Sequence, residues 1–315
     1  MLDAAFQNVD RFLQRHMALL CVVMLVCGLF AGEGAANMAP AIPWLFSVLT
    51  FNSGLGLHLR DLHCLRGKPW ILPMHLAMLH LAAPLVMWGT GSLFFEPYAV
   101  MGFVFIAMMP MSVSSILWAG MFRANITLVT TLILMDVLFA PFLIPYALQL
   151  FSGTGVQLDP LGMLRGLFWM LFFPTILALI SNRLSHGGVQ RIAGNGLSMF
   201  SKAMMLFIFF INGGVTAPYF LDITPALFLL ICMVIFVSAL LFVLNYALGR
   251  LLFSAAEDVR AFMFGPSMRS LTTGMVISMT YFSPLTTFTV LIAMFVQQPM
   301  AALAGKFQTE VCCRM

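Results

Sequence analysis

Two charged residues, Asp136 and Arg269, stand inside long apolar stretches of this 315-residue sequence. A charge without a partner is costly in hydrocarbon, so we expect both side chains to face the protein interior or a water-filled cavity. Two interpretations remain open. Either the two residues form a structural ion pair, or the planar guanidinium of Arg269 binds the carboxylate or sulfonate of an anionic substrate. In the second case Asp136 is the resting partner of Arg269 or a group that carries a proton.

Neutral polar residues in other apolar stretches are further candidate ligands. His80 is a candidate proton-sensitive cavity residue, whereas His75 lies near a basic loop and is expected at the membrane interface. The two histidines are five residues apart, so a regular helix does not bring them to one face and no metal pair is expected. Thr130 and Thr131 join Asp136 and His80 as candidate residues for a coupling ion or proton. The candidate substrate contacts are Arg269, Ser112, Ser114, Ser115, Ser267, Ser270, Thr272 and Asn212.

The composition is that of a membrane protein. Hydrophobic residues make up 62% of the chain and charged residues 8%, with a mean hydropathy of +1.01. A soluble domain carries roughly a quarter charged residues, because its surface must face water. At roughly 20 residues per helix the chain holds at most about a dozen spans, which leaves no room for a separate soluble catalytic domain. The net charge of +4 comes from single residues at span ends, so a nucleic-acid partner is not expected.

Apolar runs interrupted by charge, Gly or Pro predict ten spans, and hence an all-α polytopic membrane protein. With the N-terminus inside, every Lys and Arg except Arg165 and Arg269 falls on the cytoplasmic side. The positive-inside rule therefore favours cytoplasmic N- and C-termini. The predicted spans are 17–31, 40–57, 70–95, 99–122, 126–151, 161–182, 200–217, 225–249, 260–281 and 285–305.

The two ends of the chain are predicted to lie outside the spans. Residues 1–16 place apolar side chains at helical spacing with charges between them, which is typical of a short interfacial helix on the cytoplasmic side. Residues 306–315 are predicted to form a cytoplasmic tail. A competing interpretation takes Arg11 to Ala36 as a signal peptide, although the following outer loop is short.

Ten spans divide into two halves of five, residues 17–151 and 161–305, joined around Gly153–Asp159. An odd number of spans per half makes the second half enter the membrane from the opposite side, which is the layout of inverted-repeat transporters. The fourth span of each half contains a proline followed by hydroxyl residues, in 110–115 and in 265–274. Because proline removes a helix donor and hydroxyls satisfy the freed carbonyls, both spans are predicted to be broken helices at mid-membrane.

Three short motifs carry a family resemblance. Phe51–Leu57 followed by Asp61-Leu62 is similar to a Gly-x-x-Leu ending of span two, and Pro110–Asn125 is similar to a span-four motif ending in Arg-Gly-Asn. Residues 267–270, Ser-Met-Arg-Ser, are similar to a Gly-Met-Arg-Asn element of span nine. With these motifs in order, most of the chain resembles the bile acid:sodium symporter superfamily, as a divergent bacterial-type member.

The resemblance implies a fold and a mechanism. It implies two inverted five-helix repeats, with a panel domain from spans 1, 2, 6 and 7 and a core domain from spans 3–5 and 8–10. Spans four and nine would be discontinuous and would cross. Substrate would bind between the core and the panel near that crossing, and transport would follow from one domain rocking against the other.

The chain departs from the family pattern where sodium-coupled members bind their ion. Those members carry a Glu at the start of the span-nine crossover and a Gln four residues on, where this chain has Gly265 and Arg269. The Asn of a Ser-Asn pair in span four falls near Ser115-Ile116 and is missing. A hard cation needs several oxygen ligands, and a fixed guanidinium repels it. Sodium coupling by the family's usual sites is therefore not expected.

These observations predict a secondary transporter, and not an enzyme, that moves a small organic anion of the bile-acid-like or carboxylate class by alternating access. The alternatives are a proton-coupled or uncoupled carrier of the same class, or a membrane receptor that binds without transport. No metal or cofactor is expected, apart from sodium or a proton as coupling ion. The expected partners are the substrate and the lipid bilayer of a bacterial inner membrane, with no obligatory protein partner.

Overall fold

The computed structural model describes residues 2–57, 62–63, 68–152, 159–185, 188–221 and 225–314. Helices account for nearly all of this part of the chain, as the composition predicted. The motif residue Asp61 and most of the predicted join between the two halves, residues 153–158, lie outside the described residues.

Six helices are long and apolar enough to cross a membrane, and a sharply bent pair brings the number to seven if the pair is one span. The six correspond to predicted spans three, five, six, seven, eight and ten, and the bent pair covers predicted spans one and two. The ten spans of the sequence prediction are therefore not confirmed, although the breaks predicted in spans four and nine are present. The shortfall has two physical causes, a turn at Gly32 with a φ of 53° and breaks in predicted spans four and nine.

The chain divides into two compact units. Unit 1 comprises Met1–His58 and Arg165–Ile223, and unit 2 comprises Leu59–Leu164 and Thr224–Met315. The helices of unit 1 are α1 (Leu2–Ala31), α2 (Glu33–Ala36), α3 (Ile42–Gly54), the last three residues of α9 (Pro160–Leu167), α10 (Phe173–Leu184) and α11 (Gly188–Leu221), with a π-helical turn at Phe168–Phe172.

Unit 1 is built on the close approach of α1 and α11. A side chain at Gly28 would strike the backbone of Phe210, and one at Gly213 would strike the backbone of Leu25. The glycines that follow Asn212 therefore allow close helix packing, which the sequence left open beside a cavity-lining role. The helix α1 also runs without a break from Leu2 to Ala31, so residues 2–16 do not form a separate helix.

Unit 2 holds the remaining helices, the first five residues of α9, and the buried residues His75, His80, Asp136 and Arg269. Its helix α15 continues to Arg314, so the predicted tail at 306–315 is helical in its described residues. The helices are α4 (Ile71–Ala77), α5 (Ala83–Gly91), α6 (Pro97–Met108), α7 (Ser114–Met121), α8 (Ile126–Ser152), α12 (Pro225–Leu252), α13 (Ala256–Ser267), α14 (Leu271–Tyr281) and α15 (Pro284–Arg314), with a π-helical turn at Met78–Ala82 between α4 and α5.

Candidate functional site

Two interrupted helices of unit 2 meet at their breaks. The first break separates α6 from α7 and the second separates α13 from α14, within the stretches where proline and hydroxyl residues predicted them. The backbone is extended at Met109 and at Met268, so neither helix continues. Pro110 has no N–H to offer a helix, which accounts for the position of the first break.

The two breaks pair with each other through a short antiparallel bridge between Met111 and Arg269. The Ser112 N–H donates to the Met268 carbonyl at 2.9 Å, and the Ser270 N–H donates to the Pro110 carbonyl at 2.6 Å. Backbone groups released by the broken helices are thus satisfied by one another, as a buried backbone requires. We call this paired region, residues 109–113 with 268–270, the crossing.

Asp136 projects from α8 to the crossing and is completely buried. One carboxyl oxygen lies 2.8 Å from His80 Nε2, and the other accepts a hydrogen bond from the Met111 N–H at 2.5 Å. A buried carboxylate is tolerated when its oxygens are bonded in this way. Asp136 therefore links a titratable imidazole to the backbone of the crossing.

Arg269 lies on the second strand of the crossing and is 2% exposed. Its backbone N–H donates to Gln297 Oε1 at 2.7 Å, and its carbonyl accepts from Gln297 Nε2 at 3.0 Å. Its side chain makes only a long contact, 3.5 Å from Nη1 to the Met109 carbonyl, and its Nε has no partner. In the described part of the chain no ion pair joins Arg269 to Asp136, although the two lie within electrostatic range. The permanent ion pair that the sequence left open is not formed.

The two histidines of the third predicted span are both buried. The expectation that they cannot share a face assumed a regular α-helix, but the π-helical turn Met78–Ala82 adds a residue to the turn that carries His80. His75, expected at the membrane interface, is fully buried, and neither of its ring nitrogens has a hydrogen-bond partner. It lies within electrostatic range of Asp136, His80 and Arg269.

Hydroxyl groups surround the crossing, and most of them bond locally. Ser112 Oγ lies 2.7 Å from Ser114 Oγ, Ser115 Oγ donates to the Ser112 carbonyl at 2.7 Å, and Ser270 Oγ lies 2.6 Å from Thr273 Oγ1. These groups stand at the first turns of α7 and α14, where the helix N–H groups favour negative charge. Thr272 is half-buried in the first turn of α14.

The remaining candidate residues either bond to groups outside the crossing or lie in unit 1. Ser267 accepts from Asn245 Nδ2 at 2.9 Å and so is tied to α12. Thr130 and Thr131 donate to carbonyls one turn back on α8, which is a structural use of a hydroxyl. Asn212 belongs to unit 1, where it is buried and its side-chain oxygen has no partner.

The start of α13 is held by a second polar cluster, away from the crossing along the helix. Asp258 Oδ2 pairs with Lys68 Nζ at 3.1 Å, and its Oδ1 accepts from Asn125 Nδ2 at 2.8 Å. The guanidinium of Arg260 donates to the carbonyl of Arg123, a residue with a left-handed φ of 53°. This cluster fixes the half-helix whose other end enters the crossing.

Residues Gln297 and His75 were not among the candidates from the sequence. A signal for Gln297 existed, since Gln297-Gln298-Pro299 interrupts the apolar tenth span. Among the described residues no group of three or more His, Cys, Asp or Glu side chains is placed to hold a metal ion. The crossing thus offers one carboxyl, two imidazoles, one guanidinium and several hydroxyls.

Comparison with known proteins gives two matches. Residues 11–311 match the model of the SBF-like CPA transporter family. A protein of Bacillus subtilis (strain 168), described as uncharacterized protein YbaS, is 30% identical over 293 residues, which cover 92% of this chain and 95% of that protein.

Proposed function

The chain belongs to the SBF-like CPA transporter family, which is related to the bile acid:sodium symporters, and we propose that it is a secondary transporter in which a small organic anion moves together with a proton. The chain is a multi-pass membrane protein of a transporter family. The substrate class, the coupling ion and the mechanism are proposals, and each rests on residues of unit 2.

The observation that carries the proposal is the position of Asp136 between His80 and the backbone of the crossing. A carboxyl group and an imidazole 2.8 Å apart share a hydrogen and can take up or release a proton as a pair. The other carboxyl oxygen accepts from the Met111 N–H, and a carboxyl that gains a proton becomes a weaker acceptor. Protonation of the pair would therefore loosen one backbone bond of the crossing. Among the described residues, His75 and Arg269 are the titratable and charged groups within electrostatic range of this pair.

The anion would bind through Arg269. Its guanidinium is buried without an ion pair among the described residues, so it keeps both its charge and its capacity to bind a carboxylate or sulfonate in two places. The N-terminal turns of α7 and α14 add partial positive charge on either side of the crossing. Candidate hydroxyl contacts are Ser112, Ser114, Ser115, Ser270 and Thr272.

Sodium is the less favoured coupling ion. The positions at which sodium-coupled members carry Glu and Gln hold Gly265 and Arg269, and a side chain at Gly265 would strike the Met111 side chain at 2.9 Å. A cation site at the crossing would also lie close to a fixed positive charge.

We further propose that the chain contains two inverted repeats and works by alternating access, with unit 1 as the panel and unit 2 as the core. The internal correspondence supports this. In each half a broken helix is followed by a long helix that sends one side chain back to the break, Asp136 from α8 and Gln297 from α15. Both termini would be cytoplasmic and the membrane would be a bacterial inner membrane.

The first experiment is thermal unfolding of the purified protein in detergent, with sodium chloride exchanged for potassium chloride at constant ionic strength. A ligand that binds only the folded state at 100 times its Kd adds about 2.7 kcal/mol of stability, so an occupied site is readily seen. We expect no sodium-specific rise. A saturable sodium-specific rise that persists in Asp136→Asn would overturn proton coupling.

The second experiment tests the anion. A panel of carboxylates and sulfonates is added to wild type and to Arg269→Met, and the melting temperatures are compared. We expect at least one anion to stabilise wild type in a saturable way and to leave the variant unchanged. If the whole panel affects both proteins equally, Arg269 is not an anion site.

The third experiment follows protons in liposomes that contain a pH-sensitive dye. A stabilising sulfonate is preferred as the probe, because sulfonates stay ionised near neutral pH and do not carry protons across the bilayer unaided. We expect inward movement of the anion to acidify the lumen. Asp136→Asn should abolish this change, whereas the matched carboxyl variant Asp159→Asn, which alters an exposed bond to Gly162, should retain it. Acidification that survives in Asp136→Asn contradicts the assignment.

A further inference from the structure

Gln297 makes an unusual pair of hydrogen bonds to one residue. Its Oε1 accepts from the backbone N–H of Arg269 at 2.7 Å, and its Nε2 donates to the backbone carbonyl of the same residue at 3.0 Å. Gln297 is 8% exposed and Arg269 is 2% exposed, so both bonds are shielded from water. The side-chain amide thereby occupies the place that a neighbouring β-strand would take.

The need for these bonds follows from the break. Arg269 lies between α13 and α14, so its N–H and carbonyl have no partner within a helix. The bridge to Met111 satisfies the flanking residues, through the Met268 carbonyl and the Ser270 N–H. The N–H and carbonyl of Arg269 itself face the other way, toward α15. Without Gln297 the N–H would be buried without a partner, and the carbonyl would keep only the Leu271 N–H, which donates to it at 2.9 Å.

The side-chain type is well suited to this task. An amide presents one acceptor and one donor in a planar fork, which matches the N–H and carbonyl of a single extended residue. A carboxylate has no donor for the carbonyl, and an apolar side chain has neither group. Holding both backbone groups restricts rotation about the backbone on either side of Cα, and this in turn sets the direction in which the guanidinium leaves the chain.

We propose that Gln297 is the positioning residue that holds Arg269 in the orientation in which its guanidinium binds the anion. We call the two hydrogen bonds from Gln297 to the Arg269 backbone the clamp. This inference rests on the proposed role of Arg269 in anion binding, but the clamp itself can be tested without any substrate. Gln297 acts through Arg269 and does not itself contact the anion.

The test measures backbone exchange and side-chain reactivity at Arg269. Hydrogen–deuterium exchange followed by mass spectrometry reports on the 268–271 segment, and modification of arginine by phenylglyoxal, read on the peptide containing Arg269, reports on the guanidinium. In Gln297→Leu we expect both rates to rise by about tenfold, since two buried hydrogen bonds are lost. The matched control is Gln298→Leu, a neighbour on α15 whose side-chain oxygen accepts from Trp118 Nε1 on α7 at 2.7 Å.

A second variant separates a specific clamp from simple packing. Gln297→Glu keeps the size of the side chain, but only its protonated form can both accept from the Arg269 N–H and donate to the carbonyl. Relative to wild type at the same pH, we expect its 268–271 segment to exchange faster near pH 8 and to approach wild type near pH 5. Wild type at the same pH is the reference for effects of the other groups near the crossing, which are Asp136, His75, His80 and Arg269. Space filling alone predicts no such pH dependence.

The measurements separate a failure of the Gln297 clamp from a failure of the proposed anion role of Arg269. If Gln297→Leu exchanges and reacts like Gln298→Leu, or if Gln297→Glu shows no pH-dependent recovery, the clamp is wrong whatever Arg269 binds. If the clamp is found but neither wild type nor Gln297→Leu is protected from phenylglyoxal by any anion that stabilises wild type, the anion role of Arg269 fails instead. With both correct, Gln297→Leu should weaken the binding of a stabilising anion by about tenfold or more.

Discussion

The two breaks of unit 2 are built alike and differ in one chemical respect. In each, a residue of the bridge is held by a side chain from the following long helix, Met111 by Asp136 and Arg269 by Gln297. Gln297 is an amide and keeps the same charge at every physiological pH. Asp136 is a carboxyl that also bonds to His80, and under the proposed function it carries the proton. The two breaks therefore share one geometry, but one is held by a neutral amide and the other by an ionisable carboxyl.

The charged residue also has a different position at each of the two breaks. At the first break the bridge residue is apolar and the clamp carries the charge, whereas at the second the clamp is neutral and the bridge residue carries it. The carboxyl contacts one strand of a shared backbone bridge and the guanidinium belongs to the other, and among the described residues no ion pair joins them. Under the proposed function, a proton and an anion bound at these two residues would influence each other through the backbone.

The largest effect is expected for Asp136→Leu. This change leaves the Met111 N–H and His80 Nε2 buried without a partner, so we expect a loss of about 3 kcal/mol of unfolding free energy. The measurement is denaturant or thermal unfolding in detergent, with Asp159→Leu as the exposed control. A loss below that of the control would mean that the carboxyl does not hold the first break.

Arg269→Met makes the second break resemble the first. Because the guanidinium is buried without an ion pair in the described part of the chain, its removal should raise stability by about 1–2 kcal/mol while abolishing anion binding. The backbone bonds to Gln297 are unaffected by this change. Unfolding measurements decide the point, since a strong loss of stability would reveal an ionic partner for Arg269.

Asp258→Ala tests a difference at the other ends of the broken helices. Neither α13 nor α6 has a side-chain cap, but the first turn of α13 is tied by Asp258 to Lys68 and Asn125. The Lys68 side chain is 48% exposed, so its contribution is small, and we expect a total loss of about 1 kcal/mol. Exchange should rise in residues 256–262 and stay unchanged at 97–103. Equal changes in both segments would argue against a local tie.

The smallest effect on stability, and the sharpest on function, is expected for Asp136→Asn. The amide oxygen still accepts from the Met111 N–H and the amide nitrogen can donate to His80, so the unfolding free energy should change by less than about 1 kcal/mol. The first break then carries an uncharged clamp like the second. Dye-loaded liposomes should show anion movement without acidification, and acidification at the wild-type rate would contradict the proposed role of the carboxyl.

The sequence was sufficient to predict the two helix breaks and the burial of Asp136 and Arg269. Proline followed by hydroxyl residues predicted both breaks, and the cost of a charge in hydrocarbon predicted that Asp136 and Arg269 are buried. Those inferences depend on local chemistry and on the membrane as solvent. They needed no knowledge of which helices touch.

The partners were not predictable by the same means. That Asp136 bonds to His80 and not to Arg269 depends on how α8 packs against the π-helical turn, and that Gln297 serves the Arg269 backbone depends on a contact across 28 residues of chain. The burial of His75 and the unbroken α1 were also missed, because hydropathy marks where a segment is apolar and not where a helix changes pitch or continues past its apolar part.

The π-helical turn Met78–Ala82 has an evolutionary consequence. A π turn holds one residue more than an α turn, so it is equivalent to a single inserted residue within an otherwise regular helix. Deleting one residue there would restore α-helical pitch and rotate His80 relative to the residues before the turn, without changing the identity of any residue of the crossing. Within this family, gain or loss of the imidazole–carboxyl pair can therefore arise from a change of one codon in length, which a comparison of residue identities at the site would not reveal.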